Sequence, residues 1–158
     1  MNTRLRRLRD ERGFNLIELM IVIAIIGLLI GVGSIAWGAM IRSGNETSAA
    51  QTLDRIRTYQ AQYASRNRGK FANFDQLVES AGLDDKFKGD CPVVNGYRFC
   101  ITVEDPSSAK PGSYKITADP QVRGGIAATG TRSFYTDSGL GTIKANDSET
   151  AKDSDPSI

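Results

Sequence analysis

RGFNLIELMIVIAIIGLLIGVGSIAWGAMIR, residues 12–42, decides the reading of this 158-residue chain. From Leu19 to Ile41 no side chain is charged, and only Ser34 is obviously polar. At ~1.5 Å of rise per residue, a helix over that run reaches about 34 Å, enough to cross a hydrocarbon core of roughly 30 Å. Before it stand Arg4, Arg6, Arg7, Arg9 and Arg12 against Asp10 and Glu11, so the first thirteen residues carry +3. The other 15 basic and 16 acidic residues carry −1, so the formal +2 of the chain resides in its first thirteen residues. The heavier positive end keeps residues 1–13 in the cytoplasm and sends the C-terminal bulk across the membrane. An ordinary secretory signal peptide does not fit. The apolar run is too long, and no small-x-small cleavage site is evident at its end, where Gly38-Ala39-Met40 is a poor substitute.

A plain single-pass anchor accounts for length and charge but leaves Glu18 unexplained. A carboxylate at the centre of a bilayer costs about 2.5–3.5 kcal/mol on insertion scales, and less towards the edge. Such a residue wants a partner. The octet Arg12-Gly13-Phe14-Asn15-Leu16-Ile17-Glu18-Leu19 resembles the prepilin signal of type IV pilins and of the pseudopilins of type II secretion. The resemblance implies cleavage between Gly13 and Phe14 by a membrane aspartyl peptidase, and N-methylation of Phe14 by the same enzyme. It also implies an assembly role for Glu18, paired with the N-terminal ammonium of a neighbouring subunit. The physics agrees. Phe14 and Glu18 are spaced i, i+4, one helical turn apart. A carboxylate and an ammonium in a low dielectric relieve each other's unpaired charge.

One departure from the family pattern is the absence of the proline that many pilins carry within the apolar run. Gly27, Gly31, Gly33 and Gly38 stand there instead. Glycine weakens a helix by ~1 kcal/mol relative to alanine, so Gly31-Val32-Gly33-Ser34 is a candidate for local loosening on assembly. Gly27 and Gly31 also form a small-xxx-small pair that lets helices approach, or are simply glycines of the kind common in membrane helices.

Beyond Ile41 the chain turns polar, with Ser43-Gly44-Asn45 as a possible flexible point. From Thr47 to Arg68, Ala49, Leu53, Ile56, Tyr59 and Tyr63 recur at three- and four-residue steps and predict an amphipathic stem helix. Phe74–Ser80 reads as a short helix with Asp75 as its cap, Gly82 as its stop and Leu77 as its buried residue. An aromatic residue after the stem, then such a helix, is again similar to pilin-like heads. Asn95-Gly96 is a hairpin signal of the primed type. Counting outward pairs Val94 with Tyr97, Val93 with Arg98, and Cys91 with Cys100, close enough for a disulfide in an oxidising compartment. Pro92 cannot donate a ladder hydrogen bond, which makes this arm an edge or irregular segment. Tyr97, Phe99, Ile101 and Val103 alternate with Arg98, Cys100, Thr102 and Glu104, giving one core face and one outer face. Tyr114, Ile116 and Ala118 predict a second strand. Phe134-Tyr135-Thr136 leads through Asp137-Ser138-Gly139 towards Thr142-Ile143 as a closing hairpin. The run Arg132–Gly139 resembles a segment of some pilin-like heads. From Ala145 onward no apolar pattern remains, which predicts a disordered tail.

The expected fold class is therefore α+β: a long N-terminal helix packed on a roughly four-stranded antiparallel sheet, pilin-like. Its parts would be a cleaved basic leader (1–13), a transmembrane and assembly helix (14–41), an amphipathic stem (42–68), a globular head (69–144) and the tail (145–158). No histidine is present and only two cysteines, so a zinc site of the usual kind and a histidine-based triad are both out of reach. The sequence supports no enzyme, no cofactor and no metal. Asp84-Asp85 with Asp90, and Asp137 with Asp147, match no calcium loop and read as solvated acids. Trp37 reads as an interface anchor. The sequons at Asn45 and Asn146 are of a kind that arises by chance. No basic excess outside the leader indicates DNA binding. The resemblance implies these partners: copies of the same chain, the prepilin peptidase and methyltransferase, inner-membrane assembly machinery, and membrane lipid before assembly. The precursor would sit in the inner membrane with its head outside the cytoplasm, and later in a pilus or pseudopilus. The rival is a non-polymerising membrane protein with a periplasmic binding head. Such an anchor tolerates Gly13→Ala and Glu18→Ala, whereas a pilin loses processing with the first and assembly with the second.

Overall fold

A computed structural model describes residues 14–158, with side chains outside 34–36. The basic leader and Gly13 lie outside the described residues, as do the side chains of Ser34 and Ile35. Helix α1 runs over Leu16–Arg66, so Ser43-Gly44-Asn45 is helical rather than a break. The chain divides into two compact units, residues 1–37 and 38–158. In the first, the large apolar side chains described from Leu16 onward are exposed, among them Ile21, Ile25, Leu28 and Leu29.

In the second unit, one face of α1 is buried. Ala49, Leu53 and Ile56 are buried as the periodicity predicts, and Tyr59 and Tyr63 pack partly against them. The fourth position of that stripe is polar, however. Gln60 is fully buried, its Nε2 donating to the Ala72 carbonyl at 2.6 Å and its Oε1 accepting from the Ala72 N–H at 3.0 Å. The helix stops where Arg68 and Gly69 turn left-handed, with φ of 54° and 79°. The Gly69 N–H then donates back to the Ala64 carbonyl at 2.9 Å. Helix α2, Phe74–Ala81, ends as expected at Gly82, whose φ is 78°. Its cap is Asn73, not Asp75. The Asn73 Oδ1 accepts from Gln76 N–H at 2.9 Å, and Gln76 Oε1 accepts from Asn73 N–H at 3.0 Å. This reciprocal box satisfies two otherwise orphan donors. Asp75, within the first turn, accepts instead from Gly89 N–H at 2.9 Å. Leu77 is fully buried.

Five antiparallel strands follow in the order β1-β2-β3-β4-β5: Val93–Val94, Tyr97–Glu104, Ser113–Pro120, Ser133–Asp137 and Lys144–Asn146. The predicted hairpin register holds, with Val94 opposite Tyr97 and Val93 opposite Arg98. Pro92 falls just outside the ladder and only accepts, from Phe99 N–H at 2.9 Å. Cys91 and Cys100 are disulfide-bonded across a Cα–Cα distance of 4.5 Å. The strand count exceeds the expected four because of β5. The closing hairpin pairs Phe134 with Ala145, so its second arm begins after Thr142-Ile143.

The expected disordered tail is ordered in the structure. Asn146 holds it at both ends: its Oδ1 accepts from Ser148 and Glu149 N–H, each at 2.9 Å, and its Nδ2 donates to Asp155 at 3.1 Å. Ala145 N–H donates to the Pro156 carbonyl and Ile158 N–H to the Ile143 carbonyl, each at 3.0 Å. Ala151 is buried. A polar composition concealed this, because the order comes from side-chain caps and not from an apolar stripe.

Candidate functional site

Two regions of the described chain are candidates for function: the start of α1 and the head surface near residues 42–48. At the first, Asn15 ends the non-helical lead-in. Its Oδ1 accepts from Ile17 N–H at 3.3 Å, and its carbonyl accepts from Glu18 N–H at 3.0 Å. Glu18 therefore lies in the first turn of α1, exposed, where a carboxylate meets the positive end of the helix dipole. Phe14 is exposed and sits two residues before the helix begins, so the i, i+4 alignment with Glu18 is not built into a helical turn here. Helix ends are the least sharply defined part of a helix, and the first residues lack i−4 partners. Gly27, Gly31, Gly33 and Gly38 all lie within α1, and a Cβ at each would meet open space. Trp37 is exposed.

In the head, contacts that no local pattern announces fix the sheet to α1. Glu46 Oε1 accepts from Thr131 N–H at 2.8 Å and from Thr131 Oγ1 at 2.6 Å. Asn45 Nδ2 donates to the Thr129 carbonyl at 2.8 Å, and Asn95 Nδ2 to Ser48 Oγ at 2.9 Å. The amides of both sequon asparagines, Asn45 and Asn146, are thus engaged as hydrogen-bond donors. A cavity of about 590 Å³ lies alongside, lined by residues that include Glu46, Asp54, Arg57, Arg132 and Ile143. Asp54 and Arg57, one turn apart on α1, pair on its wall at 3.0 Å.

Four of the five candidate calcium acids, all but Asp90, have partners of their own. Asp84 pairs with Lys86 at 3.2 Å, Asp85 with Lys88 at 3.1 Å, and Asp147 with Arg132 at 3.0 Å. Hydrogen bonds from the Lys86 backbone and side chain hold the Asp84 carboxyl below its usual range. Asp137 Oδ1 accepts from Gly139 and Leu140 N–H at 2.7 and 2.8 Å, and its Oδ2 accepts from the Tyr135 hydroxyl at 3.0 Å. Among the described residues, no group of three His, Cys, Asp or Glu side chains could hold a metal ion.

Three tyrosines carry the clearest electrostatic signature. Burial pushes the Tyr135 hydroxyl up to about 12, helped by its hydrogen bond to Asp137 and by the charges of Asp137 and Asp153. Burial also raises Tyr97, with Glu46 adding to it, and Tyr114, where Arg57 works in the opposite direction. All three stay neutral longer in the folded chain than at their usual value of 10.0. Their contribution is whole below that value and is lost as pH rises through the folded values, because the unfolded chain releases these protons first. Urea unfolding of the head between pH 9 and 12 should thus show stability falling steadily above about pH 10. A flat profile would contradict it.

A long N-terminal helix packed through its second half on a five-stranded antiparallel sheet makes this an α+β protein of pilin-like build. Residues 8–34 match the family model described as the prokaryotic N-terminal methylation motif, the prepilin signature of type IV pilins and pseudopilins. No curated protein and no solved structure gives a significant match. The chain thus carries a prepilin signature on a pilin-like fold and, among the described residues, one helix long and apolar enough to cross a membrane.

Proposed function

We propose that this chain is a structural subunit of a type IV pilus-like filament. It is made as a prepilin and held in the inner membrane by residues 14–41. A prepilin peptidase cuts it between Gly13 and Phe14 and methylates the Phe14 amine. The chain then polymerises with copies of itself through the N-terminal helix, Glu18 meeting the ammonium of a neighbour. Residues 42–68 support the head at 69–144, and assembly machinery in the inner membrane draws subunits into the fibre.

The observation that carries this reading is the methylation motif over residues 8–34, which takes in the exposed apolar start of α1. An apolar surface of that length is costly in water and needs lipid or neighbouring helices around it. The exposed Glu18 at its start supplies the one charge that a new ammonium would neutralise. The same signature occurs in pseudopilins, so a type II secretion pseudopilus is the neighbouring reading within the class.

Intact mass and N-terminal sequencing of the protein from its native membranes test the proposal. The expected product starts at N-methylated Phe14 and contains the Cys91–Cys100 bond. A chain starting at Met1, in cells with a working prepilin peptidase, would leave a plain membrane anchor.

A further inference from the structure

We propose that Asn15 is a positioning residue for leader removal: by capping α1 it keeps Phe14 out of the helix and leaves the bond before Phe14 open to a peptidase cleft. The inference rests on the reading that this chain is a prepilin cut between Gly13 and Phe14.

The cap is made by one side chain and one carbonyl. Asn15 Oδ1 accepts from Ile17 N–H at 3.3 Å, and the Asn15 carbonyl accepts from Glu18 N–H at 3.0 Å and from Leu19 N–H at 3.3 Å. Ile17 is the second residue of α1, where an N-cap side chain finds its donor. Asparagine is among the residues that do this best. Glu18 stands third in the helix, where a carboxylate also favours a start at this point. The chain uses the same residue type at the start of α2, where Asn73 caps from an extended backbone with φ −75° and ψ 175°. Upstream of the cap the helix does not continue: Phe14 is non-helical and 89% exposed.

The alternative to a cap is more helix. The first N–H groups of a helix have no i−4 partners of their own. If Asn15 Oδ1 is removed, the replacement acceptor for Ile17 N–H is the carbonyl four residues back, that of Gly13. That bond winds Phe14 into the helix. The sequence ahead favours it, because Leu8, Arg9, Glu11 and Arg12 are good helix formers and only Gly13 opposes them.

The Gly13 carbonyl is also the one a peptidase must attack. Hydrolysis adds water across the Gly13–Phe14 amide, leaving a carboxyl on Gly13 and the amine on Phe14. A carbonyl held in an i→i−4 bond is enclosed in a helical turn, whereas a protease cleft takes its substrate extended. By engaging Ile17 N–H, the Asn15 side chain occupies the donor that would otherwise tie up the reacting carbonyl.

The test follows cleavage of the full-length chain in detergent micelles by the prepilin peptidase of its native host. Asn15→Ala and Asn15→Ser are compared with the parent. Loss of the cap should slow cleavage roughly fivefold in Asn15→Ala, and serine, which also caps, should restore most of the rate. The Cα chemical shift of isotope-labelled Phe14 gives a second readout. It should be non-helical in the parent and in Asn15→Ser, and move towards the helical range in Asn15→Ala. Cleavage of Asn15→Ala at the parent rate overturns the positioning role. So does an unmoved Phe14 shift, or a serine variant as slow as the alanine one. A parent left uncut, while the same peptidase processes a known prepilin, overturns the prepilin reading and the positioning role with it, whatever the Phe14 shifts show.

Discussion

Replacing Gly130 by alanine is expected to lower the thermal midpoint of the head by roughly 10 °C, from a loss of about 3 kcal/mol. A Cβ at this position would stand 2.1 Å from the Tyr97 hydroxyl oxygen, 2.7 Å from its Cζ and 2.8 Å from its Cε2. The ring cannot swing aside. Tyr97 is fully buried, stacks near Phe134 at 5.9 Å, and donates its hydroxyl to the Arg132 carbonyl at 2.8 Å. Either the loop moves or that buried hydrogen bond is lost, and a buried acceptor left without its partner costs ~1–3 kcal/mol. Differential scanning of the detergent-solubilised chain would measure the shift. Gly141→Ala, where a Cβ meets nothing, should hardly move the midpoint. In a Tyr97→Phe background the nearest clash is gone, so the two substitutions should together cost less than their sum. Full additivity would mean that the ring is not what Gly130 accommodates.

Gln60→Leu is expected to destabilise by a similar amount, about 3 kcal/mol, although it places an apolar side chain in an apolar stripe. The reason is the partner left behind. Ala72 is fully buried, and both its N–H and its carbonyl are satisfied by the Gln60 amide. Leucine cannot satisfy either group, and no water reaches the site without opening the packing between the stem and the segment leading to α2. Urea unfolding would give the stability loss, and amide exchange would show the Ala72 N–H losing its protection. Gln51→Leu, on the exposed face of the same helix, serves as the comparison and should be close to neutral. A Gln60→Leu chain as stable as the parent would show that Ala72 finds other partners.

These two residues also mark where reading the sequence stops. The spacing of Ala49, Leu53 and Ile56 is a local signal, and it correctly located the buried face of the stem. Gln60 continues that spacing by four residues, but its polarity directs a reader to Tyr59. Only the approach of Ala72, twelve residues on, makes a buried amide favourable. Asn95-Gly96 likewise fixed a hairpin and its register, because a two-residue turn of that type leaves the flanking residues little choice. The Cys91–Cys100 bond follows from that register. By contrast, Glu46 and Asn45 gain their roles from a loop more than eighty residues away, and nothing near them in sequence announces it. The tail was misread for the same reason: Asn146 orders it by capping, and a capping asparagine looks the same as a solvated one. At the start of the chain the situation reverses. Gly13, Phe14, Glu18 and the apolar run form a contiguous signal, recognisable with no knowledge of the head.

The segment around Pro156 has one more effect on how chains can meet. By bonding to Ala145 and to the Ile143 carbonyl, it covers the outer side of β5. At the opposite margin, β1 is only two residues long, is preceded by Pro92, and is tied down by a disulfide. The β5 margin thus offers no run of open backbone donors and acceptors, whereas β1 covers only Tyr97 and Arg98 of β2. A second head therefore cannot add a strand to the sheet at β5. Any contact another chain makes at that margin falls to side chains and not to backbone.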